Sequence, residues 1–177
     1  MYRDTRQQTI RLVENLSEED CCVQSQPCCS PVKWHLGHTT WFFERFIVVD
    51  GLGGKFYDNR FEFLFNSYYN ALGERQPREK RGLLTRPGLG EVLAFRNAVD
   101  ESIERGIEAG SLSDDACMAL MLGLNHEQQH QELLLMDLKD LLSCSPLNVA
   151  YCDDDLPAAG GAGDRGASRA GGGGHHR

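Results

Sequence analysis

Apolar residues recur at helical spacing in four stretches of the chain, and each stretch begins or ends at a recognisable helix boundary. Ser30 and Pro31 place a capping hydroxyl before a proline at the first helical position. Ser113 precedes two aspartates that favour the first turn of a helix. The predicted helices run from about Arg3 to Leu16, Pro31 to Val49, Gly90 to Glu108 and Asp114 to Leu142.

Two segments do not follow this helical pattern. Residues 55–87 are rich in aromatic residues at first and in basic residues later, and they separate the second and third predicted helices. A loop of this length inside a compact domain usually carries function or covers a site. After Tyr151 the chain becomes rich in glycine and alanine with little to bury, so we predict that residues 152–177 form a disordered tail.

Length and composition narrow the class of protein. A chain of 177 residues that is 41% hydrophobic can form one globular domain, which we place at residues 1–151. A net charge of −8 argues against nucleic acid and anionic membranes as partners. No apolar run approaches the roughly 20 residues of a membrane span, and the N-terminus has no secretory signal. We therefore expect an all-α protein of the cytoplasm.

The seven cysteines do not form a recognisable metal site. Cys21-Cys22 and Cys28-Cys29 lack the spacing of paired zinc ligands, and no second cluster completes such a site. An odd number of cysteines without an export signal favours reduced thiols. We interpret the two pairs as incidental thiols of a connecting loop.

The sequence His126-Glu127-Gln128-Gln129-His130 lies within the last predicted helix. Residues four apart share one face of a helix, so His126 and His130 can bind one divalent metal. The pattern fits the HExxH motif of zinc peptidases, in which the glutamate is the general base. That interpretation is weak, because no histidine or glutamate suitable as a third ligand follows in the chain before the predicted tail.

A third ligand would then come from the second predicted helix. His35 and His38 are the remaining histidines outside the tail, and either can face the fourth helix. A single buried histidine is more often a hydrogen-bonded packing residue than a ligand, and we interpret Trp34 and Trp41 as core. Three imidazole ligands in the core of a helical bundle leave positions open for substrate, water or dioxygen.

Two strings in the chain, SPVKWHLGHTTWFFERF and NHEQQHQELLLMDLKD, resemble a known family. They are similar to the N-terminal DinB-like domain of ergothioneine-biosynthesis sulfoxide synthases, the EgtB-type hercynine oxygenases. The string NSYYNALGERQPREKRGLLTRP between them is also similar to that family. The resemblance extends over roughly residues 3–151 and implies a DinB-like four-helix bundle with a long inter-helix loop.

The resemblance also implies an activity and a set of site residues. Enzymes of that family hold iron(II) with three histidines, which match His38, His126 and His130 here. They use dioxygen to join a thiol, often γ-glutamylcysteine, to the imidazole ring of hercynine as a sulfoxide. Gln129 matches the residue near the trimethylammonium group of hercynine. Arg78 and Arg81 match, more loosely, the pair that binds the carboxylates of the thiol.

Family members continue into a second domain, similar to formylglycine-generating and sulfatase-modifying factors, that supplies a catalytic tyrosine. Nothing in this chain corresponds to that domain, so we expect either an incomplete enzyme or a separately encoded partner domain. Ovothiol-type synthases share the same architecture and are therefore an alternative. Two further alternatives are a stand-alone DinB-like thiol S-transferase that uses zinc or another divalent metal, and a non-enzymatic remnant.

Overall fold

The computed structural model describes residues 1–67 and 75–151 of the chain. This part contains helices and no strands, which confirms the prediction of an all-α protein for the residues described. The predicted tail, residues 152–177, lies outside them. The helices are α1 (Tyr2–Arg11), α2 (Glu18–Cys22), α3 (Val32–Phe43), a π-helical turn (Glu44–Val49), α4 (Arg60–Phe65), a 3-10 helix (Arg78–Leu83), α5 (Leu89–Glu108) and α6 (Asp114–Ser143).

The first part of the chain differs in detail from the prediction. Helix α1 ends at Arg11, several residues before the predicted end, and residues 12–15 form turns. The predicted connector contains the short helix α2. Its first turn is closed by a capping box, in which the Ser17 hydroxyl accepts the Asp20 main-chain N–H and the Asp20 carboxylate accepts that of Ser17.

Helix α3 is buried along its whole length and packs against α5, α6, α4 and α2. The prediction that Ser30 caps it is wrong, because Pro31 occupies the N-cap position and no side chain caps the helix. The Ser30 hydroxyl instead accepts a hydrogen bond from Arg81 at 2.8 Å. The predicted single helix to Val49 changes at Glu44 into the π-helical turn, a widening often found near functional sites.

Helices α5 and α6 follow the sequence prediction to within one residue at each end. The hydroxyl of Ser113 accepts the Ala116 main-chain N–H at 3.2 Å, which confirms the predicted cap of α6. The apolar side of α5 meets α4 in an aromatic layer, in which Phe95 of α5 packs against Phe61 and Phe65 of α4 with ring centroids 5.0–6.3 Å apart.

A buried group of charges ties α1, α5 and α6 together. Glu127 on α6 is completely buried and forms ion pairs with Arg6 of α1 and Arg96 of α5. The hydroxyl of Thr9 donates to the same carboxylate at 2.6 Å. Burial alone would raise the pKa of Glu127, but the two arginines outweigh it and lower that pKa to about 2. The charge on Glu127 is therefore compensated within the core.

Candidate metal centre

Three histidines meet where α3 and α6 pack together. His38 comes from α3, and His126 and His130 lie one turn apart on α6. One ring nitrogen from each lies within 4.8 Å of the others, and the Nε2 atoms of His38 and His126 are 3.2 Å apart. This is the one group of three metal-binding side chains found in residues 1–67 and 75–151.

A close approach of the two helices brings these rings together. A Cβ atom on Gly123 of α6 would lie 2.6 Å from a ring carbon of Phe43 on α3. Glycine therefore permits a contact that any larger residue would obstruct. Gly123 precedes His126 by about one turn, so the helices are already in contact where the histidine pair begins.

The ring of His38 is held in one orientation. Its Nδ1–H donates to the main-chain oxygen of Phe65 at 2.6 Å, which leaves a lone pair on Nε2. The ring stacks on Trp34, with centroids 4.6 Å apart and planes 11° apart, and on Trp41 at 5.8 Å and 17°. Both tryptophans are buried, as predicted, but they also fix the plane of the imidazole.

Burial keeps the three histidines neutral. It is the largest cause of a pKa far below the ordinary value in His38, a pKa of about 4 in His126 and a pKa of about 2 in His130. The neighbouring imidazoles lower the pKa values of His38 and His130 further, because two adjacent positive charges would repel. Neutral imidazole is the form that binds a metal ion.

The donor set fits a divalent metal ion. Metal–nitrogen bonds of about 2.1 Å at tetrahedral or octahedral angles place ligand nitrogens roughly 3.0–3.4 Å apart, and the His38–His126 distance is in this range. Nδ1 of His126 is buried without a hydrogen-bonding partner among the described residues. Three imidazoles leave coordination positions open and suit iron, zinc and copper alike.

A cavity of about 450 Å³ opens over the histidines. Gln129, Arg78 and Arg81, the three residues predicted to bind substrate, all contribute to its wall. The remaining lining residues are Cys28, Ser30, Trp34, His35, His38, Ser67, His126, His130, Leu133 and Asp137. The structure therefore brings the predicted ligands and the predicted substrate-binding residues to one place.

A family model for the DinB superfamily matches residues 1–134, which include α1 to α5 and both histidines of α6. The chain belongs to the DinB superfamily. No curated protein matches it. None of the helices in the described residues is long and apolar enough to cross a membrane.

The two arginines of the DinB cavity differ in their surroundings. Arg81 is buried, donates to Ser30 Oγ at 2.8 Å and lies over the Trp34 ring, 3.3 Å from its centroid. Arg78 is exposed at the start of the 3-10 helix, and its guanidinium reaches the main-chain oxygen of Cys28 at 3.4 Å. Arg81 thus shapes the wall, and Arg78 presents a guanidinium that solvent reaches.

Glu127 is turned away from the metal centre of this DinB domain. Its carboxylate pairs with Arg6 and Arg96, and Glu127 is not among the residues that line the cavity over the histidines. A general base must reach the water or substrate at the metal, and this carboxylate is engaged elsewhere. The structure therefore argues against the zinc-peptidase interpretation of the HExxH motif.

Three other residues of the site were missed or underestimated in the sequence. Asp137 lines the cavity, and no sequence signal singled it out. His35, interpreted as a packing residue, lies between Asp137 and His130. Cys28, interpreted as an incidental thiol, also lines the cavity. The position of His35 three residues before His38, on the same helix as a predicted ligand, was the available signal.

Proposed function

We propose that this chain is the iron(II)-binding, DinB-like domain of an ergothioneine-type sulfoxide synthase. In this proposal α1, α3, α5 and α6 form the four-helix bundle of that family. The observation that carries the proposal is the meeting of His38, His126 and His130 beneath a cavity whose wall includes the arginines. The similarity of the strings around these histidines to that family supplies the substrate class.

In the proposed reaction a thiol sulfur becomes bonded to a carbon of the hercynine imidazole, and the sulfur is oxidised to a sulfoxide. The S–H and C–H hydrogens leave with one atom of dioxygen as water, and the other oxygen atom stays on sulfur. Iron(II) held by the three histidines would supply the means to activate dioxygen. The imidazoles suit this role, since they bind iron(II) while leaving positions open.

The charged residues around the histidines suit the charged groups of the two proposed substrates. Arg78 and Arg81 form a basic wall on one side, and a guanidinium binds a carboxylate such as those of γ-glutamylcysteine through paired hydrogen bonds. A second cavity of about 430 Å³ is lined by His126 and Gln129 and also by Glu132. An acidic residue there favours a trimethylammonium group, and Gln129 lines both cavities.

The histidines have distinct tasks in this proposal. His38 is fixed by Phe65 and by its two tryptophan neighbours, so its Nε2 points at the shared position without rearrangement. The spacing of the α-helix places His126 and His130 on one face, one turn apart. Preorganised ligands reduce the free-energy cost of binding the metal. In the family that the sequence resembles, a second domain completes the active site, and we expect full turnover to require it.

Anaerobic loading with iron(II), followed by metal analysis and titration with hercynine, tests the proposal. We expect one iron per chain and a spectroscopic response to hercynine. His38→Ala, His126→Ala and His130→Ala should each lose the metal with the helices intact, because alanine favours helix. Gln128→Ala, an exposed position on the same helix, is the matched control and should keep the metal.

Other outcomes would contradict the proposal in recognisable ways. Retention of zinc without a response to hercynine, together with transfer of a low-molecular-weight thiol to an electrophile, would favour a stand-alone DinB-like thiol S-transferase. The openness of the metal centre to the cavity is the observation that favours this alternative. Failure to retain any divalent metal would favour a non-enzymatic remnant.

A further inference from the structure

The second ring nitrogen of His130 is held differently from that of His38. His38 uses a main-chain carbonyl, that of Phe65. His130 instead has its Nδ1 2.9 Å from Nδ1 of His35, and the Nε2 of His35 lies 3.0 Å from a carboxylate oxygen of Asp137. Three side chains therefore form a continuous row from the carboxylate to the metal centre.

The positions of the protons in this row follow from donor and acceptor chemistry. An ionised carboxylate only accepts, so the Nε2 of His35 must carry the proton that points at Asp137. A neutral imidazole carries one proton, so Nδ1 of His35 is an acceptor. The nitrogen facing it, Nδ1 of His130, must then be the donor. That leaves the lone pair of His130 on Nε2.

The row is built into the fold. His35 is almost completely buried, and its rotation is restricted by Trp34, whose ring centroid lies 5.7 Å away. The same oxygen of Asp137 that faces His35 also accepts the main-chain N–H of Ser30 at 2.8 Å. The carboxylate is therefore anchored to the start of α3, and its orientation does not depend on a bound metal.

We propose that His35 and Asp137 are positioning residues that set the tautomer of His130, so that its Nε2 is free to bind the metal. This inference rests on the metal centre of the proposed function. In this role His35 contacts the ligand His130 and does not touch the metal or a substrate. Outer partners of metal-binding histidines typically contribute 10- to 100-fold in metal affinity.

The tautomer can be observed directly in protein stripped of metal. Long-range proton–nitrogen correlations from ¹⁵N-histidine-labelled chain report which nitrogen of His130 carries the proton. We expect the proton on Nδ1 in the wild type. In His35→Leu the acceptor is gone, and we expect a shift of the population to the Nε2-protonated form. A wild-type His130 protonated on Nε2 would overturn the proposal.

Cobalt(II) titration then measures the consequence for binding. Asp137→Ala and His35→Leu should weaken cobalt(II) binding about 10- to 100-fold. Asp137→Asn should retain most of the affinity, because its amide oxygen still accepts from His35. Asp140→Ala, three residues further along α6, is the matched control and should bind as the wild type does. Equal affinities for Asp137→Ala and Asp140→Ala would overturn the proposal.

These measurements distinguish a failure of this inference from a failure of the proposed function. The tautomer measurement uses no metal, substrate or oxygen, so it stands even if hercynine gives no response. Should His35→Leu fail to fold, the wild-type spectrum and the Asp137 variants still decide the question. Retained cobalt(II) affinity together with a hercynine response would support the proposed function and refute the role of Asp137 and His35.

Discussion

Glu127, which lies between the two histidines of α6, should stabilise the fold, and Glu127→Gln tests this. The side chain is fully buried, and its carboxylate pairs with Arg6 and Arg96, which are also buried. Glutamine keeps the volume but removes the charge, which leaves Arg96 without its carboxylate partner and Arg6 with Asp100 as its remaining one. Removing one partner of a buried ion pair costs about 3–5 kcal/mol. We expect the free energy of unfolding to fall by this amount.

The pKa of Glu127 gives a second route to the same magnitude. The folded chain holds this pKa at about 2, against an ordinary value of 4.5. At about 1.36 kcal/mol per pKa unit, this difference corresponds to roughly 3 kcal/mol of stability. Because the folded value is the lower one, the contribution is complete above pH 4.5 and disappears as the pH falls towards 2. The wild type and Glu127→Gln should therefore become similar in stability at low pH.

Thermal and urea unfolding followed by circular dichroism provide the assay. At pH 7 a loss of 3–5 kcal/mol corresponds to a decrease in Tm of about 6–20 °C for a domain of this size. Glu132→Gln is the matched control, since Glu132 is exposed on the same helix; its effect should stay within about 0.5 kcal/mol. Equal stability of the two variants would refute the reasoning. Loss of a metal-dependent hydrolytic activity in Glu127→Gln, without loss of stability, would revive the peptidase interpretation.

Three further substitutions test other parts of the fold. Burial raises the pKa of Glu44 to about 7, so Glu44→Gln should stabilise the chain by up to about 3 kcal/mol at pH 8 and have no effect near pH 4.5. Urea unfolding at the two pH values measures the change in stability, and an effect independent of pH would contradict the prediction. Ser113→Ala removes the acceptor for the Ala116 N–H and should cost about 1 kcal/mol in the same assay. Leu134→Ala empties a fully buried site and should cost about 2–5 kcal/mol, whereas a loss below 1 kcal/mol would show that the core closes around the gap.

The long helices could be predicted from the sequence, and the short ones could not. Helices α5 and α6 carry enough apolar repeats and a strong enough cap to set their own limits. Helices α2 and α4 have five and six residues. Helices this short are unstable alone, so tertiary packing and local caps decide whether they form.

The histidine pair of α6 was visible in the sequence, because helical spacing alone places residues four apart on one face. The choice between His35 and His38 was not, since residues three apart on one helix share a face as well. The fold separates them. His38 donates to Phe65 and directs its other nitrogen at the shared position, while His35 lies between Asp137 and His130.

The sequence by itself determined the helical class, the extent of α5 and α6 and a pair of histidines able to bind one metal. These properties depend on neighbours within a few residues along the chain. Only the tertiary structure decided which way Glu127 faces, because its partners Arg6 and Arg96 lie 121 and 31 residues away in sequence. Local periodicity carries no information on which distant charges meet in a core, and that meeting commits Glu127 to the two buried arginines while His126 and His130 face His38.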